Sequence, residues 1–334
     1  MRAVIVHAFG KNGRIALGER PAPVPGPDDL LIRIDAVAVN FVDLLVIDGA
    51  YQFLPDPPFS PGKMPAGTVS AIGGAVRGFK PGDRVLALAE QGGYAEMIAV
   101  PQSQCFHLPA SLSCTDAASM ALAFDTAWFA LVERARLQPG DSVLVLGATG
   151  AVGHAAVHLA KAKGARVLAG ISGPHRAAAA RDAGADGLVD LSAENLRDSL
   201  RAQIHAQNDG QGVDIVLDPL GGDIFDAAIR ALSWGGRLVV IGFAAGRIPT
   251  IKANYLLLKN IEVSGLQISD YRKRMPDRMA ECIGDIFALY DAGALRPLPA
   301  TTFALADFAE ALQLVRTRKA DGRVVLLPHA GGAP

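Results

Sequence analysis

At 334 residues the chain is long enough for roughly two domains of about 150 residues each. Half of it is apolar and 19% is charged, which fits a folded protein with a sizeable core and excludes a disordered or low-complexity chain. Its 32 basic and 33 acidic side chains leave a net charge of −1, so neither nucleic acid nor an anionic membrane is offered an electrostatic footprint.

The opening MRAVIVHAFG carries one Arg and an apolar stretch too short for the hydrophobic region of a signal peptide. Elsewhere Gly, Lys, Arg and Asp interrupt every apolar run before it reaches the ~18 residues that span a bilayer, and a cytoplasmic location is expected. Cys105, Cys114 and Cys282 are widely spaced and form no CxxC pair. They read as buried thiols and not as a disulfide framework or a zinc site.

Leu30 to Ala38 is strand-like and follows the proline-rich connector PAPVPGP. Turn signals at Gly73-Gly74, Pro81-Gly82-Asp83 and Gly92-Gly93 suit an antiparallel β domain. The PGD turn recurs at Pro139-Gly140-Asp141, as turn chemistry and not as an internal repeat. From Asp141 strand-like and helix-like segments alternate: SVLVLG, AVGHAAVHLAKAKG, ARVLAGI, a helix over Ala177–Ala183, VDIVLD, a helix after Gly222, GRLVVIG and IEVSGL. Parallel strands need crossover connections, so this alternation predicts an α/β, doubly wound parallel sheet with helices on both faces. Two helical stretches, Arg278–Asp291 and Asp307–Arg318, precede a last strand, Arg323–Leu327, expected to return to the first domain. The expected division is 1–124 with 267–334, and 125–266.

The sharpest local signal is VLVLGATGAVG, in which a buried strand runs into Gly147, Gly150 and Gly153 and a helix follows at once through Ala151 and Val152. Glycines there allow a tight turn and let the backbone approach a pyrophosphate at a helix N-terminus, so a dinucleotide site is expected. NAD binders place an acid about 20 residues on, to accept from the ribose 2′-hydroxyl. The segment Leu168–Arg176 has no carboxylate and offers Ser172, His175 and Arg176 instead, donors suited to a 2′-phosphate. The expected cofactor is NADPH. His154 and His158 lie i, i+4 on the following helix, but HAAVH lacks the Glu of HExxH, and the pair is expected to cover the helix surface.

Taken in order, PxPGPxxLLIRI at 23–34, AVNFVDLL at 38–45, GAY at 49–51, PGKMPAGTV at 61–69, GGYAE at 92–96, DTAW at 125–128, the glycine loop, DIVLDPLGG at 214–222, GGRLVVIGF at 235–243 and DGRVVL at 321–326 carry a resemblance over nearly the whole chain. The sequence resembles the zinc-independent quinone oxidoreductase (ζ-crystallin-like) branch of the medium-chain dehydrogenases/reductases. That resemblance implies a GroES-like β-rich catalytic domain joined to a Rossmann domain, with cofactor and substrate in the cleft they form. It also implies a homodimer, paired through the edge strand Ile261–Leu266. Metal-dependent members carry a catalytic Cys where this chain has Asn40, and GHE where it has Gly62-Lys63-Met64, so no metal is expected.

Carried over residue by residue, the resemblance makes Asn40 and Tyr51 the catalytic positions, as donors to a carbonyl or ribose hydroxyl. Asn40, Thr126, Gly147, Gly150, Ala151, Val152, Gly153, Ser172, His175, Arg176, Gly242, Phe243, Leu266 and Arg323 make the cofactor set. Asp43 is expected to organise the Asn40 loop. Lys63 stands where metal-dependent members have a zinc-ligand His; it reads first as an ordinary surface lysine, with an electrophilic donor pointing toward the cleft as the alternative. The chain departs from the pattern at Leu191, where some members have a Tyr that touches the 2′-phosphate. It departs again at Ile47 and Met64, where an Arg and an acid are common.

Without a Lewis acid to stabilise an alkoxide, the acceptor should already be electron-poor. The expected reaction is hydride transfer from NADPH to a small-molecule acceptor, a quinone first. The alternatives are an enone, alkenal or enoyl-CoA reductase, which needs a proton at carbon, and a non-catalytic NADPH-binding protein. A quinone's reduced oxygens take protons from water, and this favours the first reading.

Overall fold

The computed structural model describes residues 1–10 and 13–330 and divides into two compact units, residues 1–122 with 297–334 and residues 123–296. In chain order the first unit holds β1 (Arg2–Val6), β2 (Ile15–Glu19), β3 (Asp29–Ala38), α1 (Phe41–Ile47), β4 (Ala66–Ile72), β5 (Arg84–Ala87), β6 (Met97–Pro101), β7 (Cys105–His107) and α2 (Cys114–Met120). The second holds α3 (Ala123–Trp128), a π-helical turn (Phe129–Arg134), β8 (Ser142–Leu146), α4 (Ala151–Ala162), β9 (Arg166–Ile171), α5 (Ala177–Asp182), β10 (Gly187–Asp190), α6 (Leu196–Gln207), β11 (Val213–Asp218), α7 (Gly222–Ala231), β12 (Leu232–Val240), α8 (Ala253–Lys259), β13 (Glu262–Gly265), α9 (Ile268–Arg274) and α10 (Pro276–Asp291). The chain then returns to the first unit with β14 (Ala300–Ala304), α11 (Phe308–Arg316) and β15 (Arg323–Leu327).

The first unit is built on β3, which pairs antiparallel with β4, β6 and β15. Alternation along β3 buries Leu30, Ile32 and Ile34 and is lost past a register shift after Ile34; Leu30 and Ile32 join the cluster of Val69, Val85 and Val100, and Ile34 and Val37 that of Val4 and Leu326. The last strand is stitched in by the register Val325↔Ala38, beside Asn40 in sequence. Both PGD turns are made alike. Gly82 and Gly140 take φ of +94° and +91°, and the Asp83 and Asp141 carboxylates accept the N–H groups of Lys80 and Gln138 at 2.9 and 3.0 Å.

In the second unit six parallel strands lie in the order β10-β9-β8-β11-β12-β13, the doubly wound arrangement the alternating pattern predicts. Ser142 to Leu146 are all buried, as a central parallel strand covered on both faces requires. The strand order reverses between β8 and β11, so their C-terminal ends flank the crevice in which such sheets hold ligands.

Residues 267–296 correct the expected division, because they pack into the second unit. Arg272 on α9 donates to the Asp125 carboxylate of α3 at 2.6 Å, with both side chains buried. From α10, Asp285 accepts the Trp128 indole N–H at 2.6 Å and the Lys163 ammonium at 2.7 Å, and the Arg278 guanidinium lies 4.8 Å over the Trp128 ring. Helical periodicity shows that these segments bury one face; it does not show which sheet they bury it against.

Arg272→Met leaves the Asp125 carboxylate buried without its cation and is expected to destabilise the protein by about 3–5 kcal/mol. Equilibrium urea unfolding reads this, and a loss under about 1 kcal/mol would show that the pair is not an anchor.

Candidate functional site

Past β8 the chain turns sharply at Gly147, whose φ is +64°. A Cβ on Gly153 would sit 2.2 Å from the Gly147 carbonyl oxygen and 2.7 Å from the Ala148 Cα, so only glycine lets α4 rest on this loop. Gly150 caps α4 with no side chain to offer, and the first-turn N–H groups of Ala151, Val152 and Gly153 have no side-chain cap. Aligned peptide dipoles concentrate partial positive charge there, which suits a pyrophosphate.

At the end of β9, Ser172 and His175 are exposed and Arg176 is half-buried. The Arg176 Nη1 donates to Thr149 Oγ1 at 3.0 Å, tying it to the glycine loop, while its Nε is buried without a hydrogen-bond partner. That orphaned donor, with no carboxylate at the strand end, fits a 2′-phosphate. Leu191 is buried in the core of the sheet.

Asp218 closes β11, fully buried, and sequence reading gave it no role of its own. One carboxylate oxygen accepts the N–H groups of Leu220 and Gly221 at 2.9 Å, the other has no partner, and burial raises the pKa. The Asp218 carbonyl accepts from Ile241, and Ala245 donates to the Leu220 carbonyl at 2.8 Å. These bonds strap the Gly242-Phe243 segment to the β11 end. Leu266, just past β13, donates to the Val240 carbonyl at 3.0 Å, and Thr126 is buried on α3 with its N–H on the Asp125 carboxylate.

The first unit gathers a buried polar cluster around Asn40, the residue at the N-terminus of α1. Asp43 accepts the Asn40 N–H at 2.8 Å and the Tyr94 hydroxyl at 3.0 Å, holding the loop as the sequence suggests. Arg323, at the start of β15, donates through Nη2 to Asn40 Oδ1 at 2.6 Å. A guanidinium only donates, so the amide oxygen faces Arg323, and the amide nitrogen lies 3.3 Å from the Ala38 carbonyl. Burial raises Asp43 and Tyr94 above their ordinary pKa values, and it pulls Arg323 down to about 10 despite Asp43 and Tyr94 nearby. Lys63 is buried as well, which corrects its reading as a surface lysine. Its ammonium lies 5.8 Å over the Tyr51 ring and is held by Glu90 at 2.5 Å. The structure thus joins Asn40, Tyr51, Lys63 and Arg323 in one region, with Glu90 and Tyr94 as members that sequence reading did not single out.

Two family models match the chain: the alcohol dehydrogenase GroES-like domain over residues 26–110 and the zinc-binding dehydrogenase domain over residues 151–284. The quinone oxidoreductase-like protein 2 homolog of Nematostella vectensis is 35% identical over 90% of this chain and 82% of its own. A Pseudomonas syringae quinone oxidoreductase superposes with a TM-score of 0.89 at 26% identity, covering 98% of this chain and 99% of that one. A mycobacterial protein solved with NADPH superposes with a TM-score of 0.89 at 30% identity, covering 98% and 100%. The chain belongs to the zinc-independent quinone oxidoreductase branch of the medium-chain dehydrogenase/reductase family. This family's two-domain fold accounts for both units. Among the described residues no group of three or more His, Cys, Asp or Glu side chains is placed to hold a metal ion, and no helix is long and apolar enough to cross a membrane.

The expectation that His154 and His158 cover the surface of α4 is corrected. Both are buried, their rings meet edge-on with centroids 4.5 Å apart, and a His154 ring nitrogen lies 2.9 Å from the Arg296 carbonyl oxygen. Residues 294–296 cover a helix face that sequence spacing leaves open. Burial lowers both pKa values, that of His158 to about 4. A histidine held below its unfolded value of about 6.5 contributes fully above that pH and loses its contribution as pH falls toward the folded value. The urea midpoint is therefore expected to drop between pH 7 and 5, and to drop less in His154→Gln/His158→Gln; equal pH dependence in both proteins would refute this.

Proposed function

We propose that the protein is an NADPH-dependent oxidoreductase that reduces an electron-poor carbonyl acceptor, a quinone first. The observation that carries this reading is the second unit's glycine cradle, followed by a strand end with no carboxylate and with Arg176 Nε uncommitted. The NADPH complex of the mycobacterial relative and the quinone oxidoreductase names of the others support it.

When bound, the nucleotide supplies a hydride from its nicotinamide ring. In this reading the N–H groups of Ala151, Val152 and Gly153 receive the pyrophosphate, with Gly150 holding the turn by donating to the Gly147 carbonyl, and Arg176, with Ser172 and His175, receives the 2′-phosphate. Thr126, Gly242, Phe243 and Leu266 line the nicotinamide side. Asn40 and Tyr51 present donors to ribose and acceptor oxygens, and Arg323 sets the amide of Asn40. A quinone is favoured over an alkene because its reduced oxygens take protons from water, whereas alkene reduction needs a donor aimed at carbon.

A screen of nucleotide oxidation against an ortho-quinone, a para-quinone, an enone and crotonyl-CoA, with NADPH and NADH in parallel, tests this. Quinone turnover that prefers NADPH is expected, with the preference cut at least tenfold in Arg176→Gln, the scale of one charge-assisted hydrogen bond. Fast enone or crotonyl-CoA turnover with inert quinones would make it an alkene reductase. Tight NADPH binding without turnover would make it a binding protein.

Among the described residues the strand β13 ends the sheet with one edge unpaired, and we place the two-fold contact of a homodimer there. Sedimentation at micromolar concentration is expected to show a dimer; a monomer would contradict this.

A further inference from the structure

Arg176 closes the single turn Pro174–Arg176 that follows β9. The chain enters that turn at Gly173 with φ +99° and ψ 157°, a backbone conformation essentially reserved for glycine. Pro174 presets the next φ, and the Arg176 N–H returns to the Gly173 carbonyl at 3.3 Å. The turn thereby fixes where the Arg176 side chain leaves the backbone.

The tip of that side chain is fixed by a second element of the same unit. Thr149 is half-buried in the loop after β8, between Ala148 and Gly150. Its Oγ1 accepts from Arg176 Nη1 at 3.0 Å and is the one hydrogen-bond partner of that guanidinium among the described residues. Other half-buried arginines of this chain are held differently: Arg2, Arg237 and Arg278 each pair with a carboxylate, Glu96, Asp141 and Glu133 respectively. A carboxylate tethers an arginine and neutralises it. A hydroxyl oxygen tethers it and leaves its charge uncompensated, and here the buried Nε is left with no partner at all. Thr is also β-branched, so few rotamers compete with the one that meets Arg176.

We propose that Thr149 is the positioning residue for nucleotide choice: its hydroxyl holds Arg176, charge intact, in the orientation that receives an adenosine 2′-phosphate. Ordering a long side chain costs conformational entropy. With that ordering done before the ligand arrives, more of the charge-assisted hydrogen bond appears as affinity for the 2′-phosphate. The same contact ties the 2′-phosphate donor to the loop that leads into α4, so the two anionic parts of one nucleotide meet donors held in register. A nucleotide without the 2′-phosphate gains nothing from the tether. This role rests on the NADPH reading above.

The test titrates NADPH and NADH, followed by nicotinamide fluorescence, into the parent, Thr149→Val, Thr149→Ala, Thr149→Ser, Arg176→Gln and the double variant Thr149→Val/Arg176→Gln, with thermal unfolding to establish that each is folded. Thr149→Val and Thr149→Ala are expected to weaken NADPH binding about fivefold, the scale of one hydrogen bond, and to leave NADH within about twofold of the parent. Thr149→Ser keeps the hydroxyl and is expected to stay within about twofold for both nucleotides. On top of Arg176→Gln, the Val substitution is expected to cost less than about twofold more, because the effect travels only through the arginine. Equal losses for NADPH and NADH would make Thr149 a residue of loop shape and overturn the proposal. A full fivefold loss in the Arg176→Gln background would overturn it too, since Thr149 would then act without Arg176. A parent that prefers NADPH, with Val and Ala variants that bind it equally well, would remove the role of Thr149 alone. A parent that binds NADPH no more tightly than NADH would remove the NADPH reading and this role together. If neither the Val nor the Ala variant folds, a Thr149→Ser protein that loses as much NADPH affinity as Arg176→Gln would contradict the proposal.

Discussion

The close approach of α4 to the loop after β8 is the constraint on which the second unit depends. Where a side chain would strike the Gly147 carbonyl at 2.2 Å, Gly153 lets the helix start directly above the end of the strand. That contact brings the uncapped N–H groups of the first helical turn to the C-terminal edge of the sheet, at the point where the strand order reverses. The rest of the edge is arranged around it. Arg176 is tied to Thr149 of the same loop, and Leu220, whose side chain packs against Gly147, belongs to the turn that Asp218 caps.

The first unit solves a different problem, keeping charge buried without letting it collapse into a simple pair. Asn40 lies between Arg323 and Asp43, accepting from the first through its side chain and donating to the second through its backbone. Burial disfavours the charged form of both ions, as their opposite pKa displacements show, and the intervening amide dipole satisfies each in part. Such an arrangement fixes the amide's polarity, because no other orientation satisfies a group that can only donate. Lys63 and Glu90 add a second pair of opposite charges in the same unit.

The features legible in the sequence were those whose cause is local. A buried strand, three glycines and a helix in immediate succession identify the dinucleotide loop, because turn geometry and close packing demand those residues within eleven positions. The alternation that predicts the parallel sheet is equally local in origin. The features that were missed come from contacts made far along the chain. Arg323 reaches Asn40 across 283 residues, and Arg272 reaches Asp125 across 147. The burial of His154 and His158 depends on residues 294–296, and the assignment of α9 and α10 depends on Trp128 and Asp125. No periodicity reports such partners. Asp218 and Glu90 were hidden for a related reason: an acid at a strand end or in a loop has the same one-letter signature whether solvent or the fold satisfies it.

The most direct measurement is a titration with NADPH, followed by nicotinamide fluorescence, of the parent and of Gly153→Val, with circular dichroism to establish that the variant keeps its helices and strands. If backbone amides held in place by that glycine contact grip the nucleotide, the parent binds and the folded variant loses at least a hundredfold in affinity, about 2.7 kcal/mol. A folded variant that binds NADPH as tightly as the parent would contradict the account.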